Sequence, residues 1–194
     1  MKILKTVAAL ALAVVLGACE AVETVSRDVT PENSGAAHID SPYSVAGINV
    51  DVPTTLRVSE ENLIFPLADI VWRGDAYGDR HQQVAAIFNK GLMLGAAQLN
   101  GPQAVTLDVE VMRFHSLTEL ARYATGGTHA ITFRLTVRDA TSGDVIDGPR
   151  RVRANLAAWS AERYMAGERE GITAKTRITS HLGGVIQREL GLAP

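Results

Sequence analysis

The chain has 194 residues, nearly balanced charge (19 Lys and Arg against 21 Asp and Glu, net −2) and a single cysteine. That length suits one domain with a real core. The absence of excess basic charge argues against nucleic acid as a partner. One cysteine excludes an internal disulfide.

The chain opens with Lys2 and Lys5 and then an uncharged run over residues 6–16. This is the charged-then-apolar order of a secretory signal, too short to span a bilayer, which takes roughly 20 apolar residues. It ends at Leu16-Gly17-Ala18-Cys19. Leu three places before the cysteine, with small residues between, is the pattern of a lipobox, the site where bacterial lipoproteins are cleaved and acylated. Ordinary cleavage after Ala18 would instead place bulky Leu16 where a small residue is wanted. The expectation is therefore a leader over residues 1–18 and a lipidated Cys19 that holds the protein on a membrane. One acyl chain holds only weakly, whereas three hold durably. A lipidated Cys19 leaves no thiol for a nucleophile or a zinc site. Glu20 follows, where Asp would act as the inner-membrane retention signal of enteric bacteria, so the periplasmic face of the outer membrane is expected.

Residues 19–42 are polar and aperiodic, with Pro31, Asn33, Ser34, Gly35 and Pro42, and read as a flexible tether. A single domain is expected over residues 43–194. Ile48, Val50 and Val52 alternate with polar residues as in a strand with one buried face, and Pro53 marks it as an edge or a bend. A short extended piece over residues 68–73 carries Trp72. Asp79 then opens a helix whose Val84, Ile87, Phe88, Gly91, Leu92, Gly95 and Leu99 recur at threes and fours, and Asn100-Gly101-Pro102 stops it. The two glycines are expected to let this helix approach the sheet.

Val105, Leu107, Val109 and Val111 alternate with polar residues, and so do His129, Ile131, Phe133, Leu135 and Val137. A turn over residues 139–144 leads to a return strand interrupted at Gly148-Pro149. Residues 158–171 show no period and read as a loop with a short helical start. A last helix over residues 172–190 carries Ile178, Leu182, Val185, Ile186 and Leu190 on one stripe. Its Gly183-Gly184 pair, costly in a helix, predicts close packing on the sheet. The fold expected is α+β: an antiparallel sheet of four to five strands with two long helices packed on one face.

Few residues suggest chemistry. Arg73-Gly74-Asp75 matches an adhesive tripeptide, but a turn stabilised by Asp75 suits its place beside Trp72 better. The histidines lack the spacing of a zinc helix, although His115 and His129 fall at the ends of neighbouring predicted strands. No calcium loop, nucleophile elbow or phosphate loop is present. The expectation is no catalytic residue, no metal, no cofactor and no enzyme activity. Arg134, Arg138, Arg151 and Arg153 share the polar parity of the predicted hairpin and form a candidate partner surface. Asp108, Glu110 and Asp147 share that parity, so cross-strand ion pairs compete with this reading.

Ala68-Asp69-Ile70-Val71-Trp72-Arg73-Gly74-Asp75, Gly78-Asp79-Arg80 and Gly148-Pro149-Arg150-Arg151-Val152 resemble a family of uncharacterised bacterial lipoproteins, a domain of unknown function, over residues 48–190. More distantly, the order of elements and the Trp72 context are similar to the auxiliary lipoproteins of ABC-type transport systems. That resemblance implies a non-enzymatic role in an envelope transport or maintenance complex, with the membrane reached through Cys19 and a transport-complex protein as partner. A periplasmic carrier of lipid or another apolar ligand is the first alternative, and an envelope hydrolase the second.

Overall fold

The computed structural model describes residues 40–191; the leader, Cys19 and most of the expected tether lie outside them. The sheet is built on β3 (Gln103–His115), which pairs antiparallel with β4 (Thr128–Asp139), and β4 with β5 (Val145–Arg153). On its other side β3 pairs with β1 (Tyr43–Asp51) and, at its far end, with the two-residue β2 (Ile70–Val71). The strand order is β1-β3-β4-β5, and the short β6 (Leu156–Ala157) pairs with the start of β4.

Both β1 and β2 run parallel to β3, so the sheet is mixed rather than antiparallel. The reason lies in the connection. The chain leaves β1, forms β2 and the helix α1 (Arg80–Ala96), and returns to start β3 at the same end as β1, a crossover that parallel neighbours need. Among the described residues, six strands replace the expected four to five.

Four helices are present among the described residues: α1, α2 (Glu119–Ala124), α3 (Ala161–Arg169) and α4 (Ala174–Leu190). Each begins at a capping oxygen. Asp79, Thr118, Ser160 and Thr173 accept from the backbone N–H three residues on, which fills an otherwise orphaned donor. The loop expected over residues 158–171 is therefore largely α3, started by Ser160 despite its weak apolar period.

The buried positions of β3 and β4 alternate as expected, with Leu107, Val109, Ile131, Phe133 and Leu135 facing the helices. Phe88 of α1 stands edge-on to Phe133 at 5.6 Å and tilted on Phe114 at 6.1 Å. Trp72 closes the same stack edge-on to Phe114 at 5.6 Å. Trp72 is fully buried, and its Nε1 donates to Asp75 Oδ2 at 2.8 Å.

The helix glycines serve a different contact from the one expected. A Cβ on Gly91 would lie 2.6 Å from Thr179 O and 2.8 Å from Leu182 Cβ, and one on Gly95 would overlap Gly183 O. These glycines let α1 and α4 meet backbone to backbone, and the sheet is not what they approach. Gly184 has only the tip of Arg188 nearby, at 3.4 Å.

Candidate functional site

The helix-free face of the sheet carries the expected partner residues. Arg134 and Arg151 are directly opposed across β4 and β5, and Arg153 lies opposite Thr132. Two of the four arginines are already used within the sheet. Arg134 is ion-paired with Glu110, and Arg138 Nε lies 2.6 Å from Asp108 Oδ2 and donates through Nη1 to Gly143 O. Hydrogen bonds from Asn49, then from Arg138, hold the Asp108 carboxyl below the usual carboxylate range. A shallow depression of about 300 Å³ lies over Asn49, Asp51, Asp108, Glu110, Arg134 and Thr136. Asp147 pairs instead with Arg150, which also engages Glu189 of α4. The stripe is thus not uniformly basic. Arg151 and Arg153 on edge strand β5 are exposed and, among the described residues, have no ion-pair partner.

A second surface forms where β3 ends. The loop over residues 59–69 crosses the start of α2 and exposes Leu63, Phe65 (79%) and Leu67 (88%), and Leu120 and Tyr123 of α2 are exposed as well. The loop beneath these side chains is fastened at every few residues. Glu60 is ion-paired with buried Arg80 at 2.6 Å, and Arg73 bridges Glu60 O to the Glu119 carboxylate. Asn62 Oδ1 accepts from Leu120 N, Thr118 Oγ1 donates to Leu63 O at 2.7 Å, and His115 Nε2 donates to Pro66 O at 3.1 Å. The result is a rigid apolar ridge on a hydrogen-bonded base.

The chain enters at the other end. Ser41 Oγ donates to Leu190 O at 2.8 Å, and Gly101 N and Gln103 N donate to Tyr43 O and Pro42 O. The entry point therefore sits beside Gln103, while the ridge sits beyond His115. The strand between them is about 40 Å long at roughly 3.3 Å per residue.

The candidate chemistry resolves into structural roles. His115 and His129 do not meet: the first serves the ridge loop, and the second points into the core. His129 Nδ1 lies 2.9 Å from Ser116 Oγ and Nε2 lies 2.8 Å from Tyr164 OH, so both ring nitrogens are engaged. Burial, reinforced by Arg177 and Arg122, lowers its pKa to about 4, and the ring is neutral at pH 7. Around it Arg122 stacks 4.3 Å above the Tyr164 ring and Arg177 4.1 Å above Trp159. Within Arg73-Gly74-Asp75 the end residues are tied to Glu119 and to Lys175, at 2.7 Å, so the tripeptide is a braced turn. Among the described residues no three His, Cys, Asp or Glu side chains gather as a metal site. Among them, too, no helix is long and apolar enough to cross a membrane.

Residues 43–194 match a family of unknown function, DUF6778. The chain belongs to that family. Three crystal structures are similar at a greater distance. A candidate lipoprotein of Caulobacter crescentus shares 15% identity over 74% of this chain and 86% of its own, with a TM-score of 0.33. A Xanthomonas campestris protein of the DUF330 family shares 12% over 81% and 90%, with a TM-score of 0.42. An uncharacterised protein shares 15% over 79% and 94%, with a TM-score of 0.43. No curated protein matches the chain.

The matched span contains the ridge and the arginine face, and Cys19 precedes it. The ridge escaped the sequence reading because Leu63-Ile64-Phe65, followed by Pro66 and Leu67, is a short apolar run of the kind that reads as buried core. Only the loop's fastening to α2 turns them outward. The signal that could have found it is Pro66 within that run, which disqualifies a central strand.

Proposed function

We propose that this protein is a non-enzymatic lipoprotein of the cell envelope, anchored through Cys19, that docks by its apolar ridge onto a protein of an envelope transport or maintenance complex. The observation that carries this reading is Phe65 and Leu67 standing almost fully exposed on a loop fastened to its base. Large apolar side chains displayed together on a rigid support mark interaction surfaces. A preformed surface also loses little conformational freedom on binding.

The place of the ridge favours a protein over the anchoring bilayer. It lies at the end of β3 opposite the point where the chain enters, so a tethered domain presents it outward. The likeness of element order to transport auxiliary lipoproteins agrees with this role. The outer membrane is the location proposed, on the strength of Glu20. The carrier alternative has less support, because Trp72, Phe88, Phe114 and Phe133 fill the space between sheet and helices.

The test is photo-crosslinking in intact cells from a benzoylphenylalanine placed at Leu67, with the captured protein identified by mass spectrometry. An envelope transport subunit is expected, and its capture should disappear when Phe65→Ser is added while the melting temperature holds. Capture of no envelope protein, or capture indifferent to Phe65→Ser, would overturn the reading.

A further inference from the structure

The two edges of the sheet are defended very differently. Natural sheets protect free edges with charges, proline and irregular pairing, because unpaired N–H and C=O groups invite another strand. Edge strand β5 has all three: Asp147, Arg150, Arg151 and Arg153, the Gly148-Pro149 step, and register shifts opposite Leu135–Val137 and Val137–Arg138.

Edge strand β1 is covered at its start, where Ser44 bridges Asn100 and Tyr43 O accepts from Gly101 N, and beyond that it has one charge, Asp51, and one irregularity, the register shift at Ala46. From Gly47 to Asp51 it pairs regularly with β3 and carries no proline. None of its residues is fully buried, so the core-side Ile48 and Val50 are only half covered, unlike their counterparts on β3 and β4. Beside it runs an apolar groove of about 390 Å³ between β1 and α1, lined by Val45, Ile48, Met93, Ala96 and Ala97. Met93 is largely exposed there.

We propose that β1 pairs with β1 of a second copy of this chain across a two-fold axis at Asn49, extending the sheet through both molecules. The strand is self-complementary in that register. Antiparallel pairing about Asn49 sets residue 48 opposite 50 and residue 47 opposite 51. Ile48 then meets the second copy's Val50 on the core side, twice, the aliphatic cross-strand contact that stabilises sheets. The only charge, Asp51, falls opposite Gly47 rather than opposite another carboxylate. A two-fold contact needs one patch that fits itself, and this segment meets that demand with no like charges opposed.

The test uses the full-length chain in its own membrane, with benzoylphenylalanine at Met93 and, as control, at Arg153 on the guarded edge. A crosslinked species of twice the chain mass, containing only peptides of this chain, is expected from Met93 and not from Arg153. Asn49→Lys should abolish it. In the single molecule that lysine gains Asp108 as a neighbour, 2.9 Å from the present amide, so folding is preserved, whereas in the pair two like charges face each other. Asn49→Gln, which keeps an amide beside Asp108 and adds no charge, should retain the crosslink. A Met93 crosslink that is absent, joins a different protein, or survives Asn49→Lys overturns the proposal. Loss of the envelope partner from Leu67 would leave these outcomes unchanged.

Discussion

At the scale of single residues, His129 couples this fold to acid. Its folded pKa of about 4 lies below the ordinary 6.5, so the folded state resists protonation and the unfolded state accepts it first. The linked stability is whole above pH 6.5 and is lost as pH falls from there towards 4. At most about 3 kcal/mol follows from a shift of this size. His115 and His181 are lowered in the same direction, chiefly by burial, and add to the loss. Denaturant melts between pH 7 and pH 4 should show the decline, and His129→Gln should flatten part of it. Tyr164→Phe should destabilise by about 1–3 kcal/mol, because it leaves a buried imidazole nitrogen without its partner. Trp72→Ala should cost about 3–5 kcal/mol by opening the aromatic stack, whereas Arg134→Ala, on the wet face, should change stability by about 0.5 kcal/mol. Thermal melts of the two variants together check which face is buried. The wet arginines were legible from alternation, and Trp72 from the short apolar stretch Ile70-Val71-Trp72. The Ser116-His129-Tyr164 chain was not, since its members lie in three segments that only the tertiary fold joins.

At the scale of elements, the two helix glycines make a paired prediction. Gly95→Ala should destabilise by about 1–3 kcal/mol, since the added methyl would occupy the space of the Gly183 carbonyl and force α1 from α4. Gly184→Ala should instead stabilise by about 0.5–1 kcal/mol, because the site is open and alanine is the better helix former. Chemical denaturation of both variants decides it. The periodicity of α1 and α4 showed which stripe is buried but not by what, and so the sheet was expected where the other helix stands. The same limit hid the parallel pairing of β1: alternation of Ile48 and Val50 is identical in parallel and antiparallel ladders, and only the path through α1 fixes direction. The helix α2, six residues long, is too short for a period to emerge.

At the scale of the whole molecule, the candidate binding surfaces lie on what the core leaves uncovered. The ridge, the β5 arginines and the unguarded β1 edge are three separate surfaces, so substitutions on them should be independent in stability. Arg151→Glu with Arg153→Glu should leave the melting temperature within about 2 °C of wild type. Any effect of that double variant on envelope integrity would therefore report on binding rather than on folding. Such surfaces are poorly legible in sequence, because exposed apolar residues read as core until their neighbours are placed.

The entry point beside Gln103 and the ridge beyond His115 also determine how the domain bears force. A membrane pulling at Asp40 and a partner holding the ridge would draw β1 along the axis of β3 rather than away from it. The parallel ladder from Tyr43–Gln103 to Asp51–Glu110 is then loaded in shear, with its hydrogen bonds sharing the strain together instead of failing one at a time. The domain should resist tension along that line far better than tension applied between β5 and β1. Single-molecule pulling from these two pairs of points should show a higher rupture force for the first.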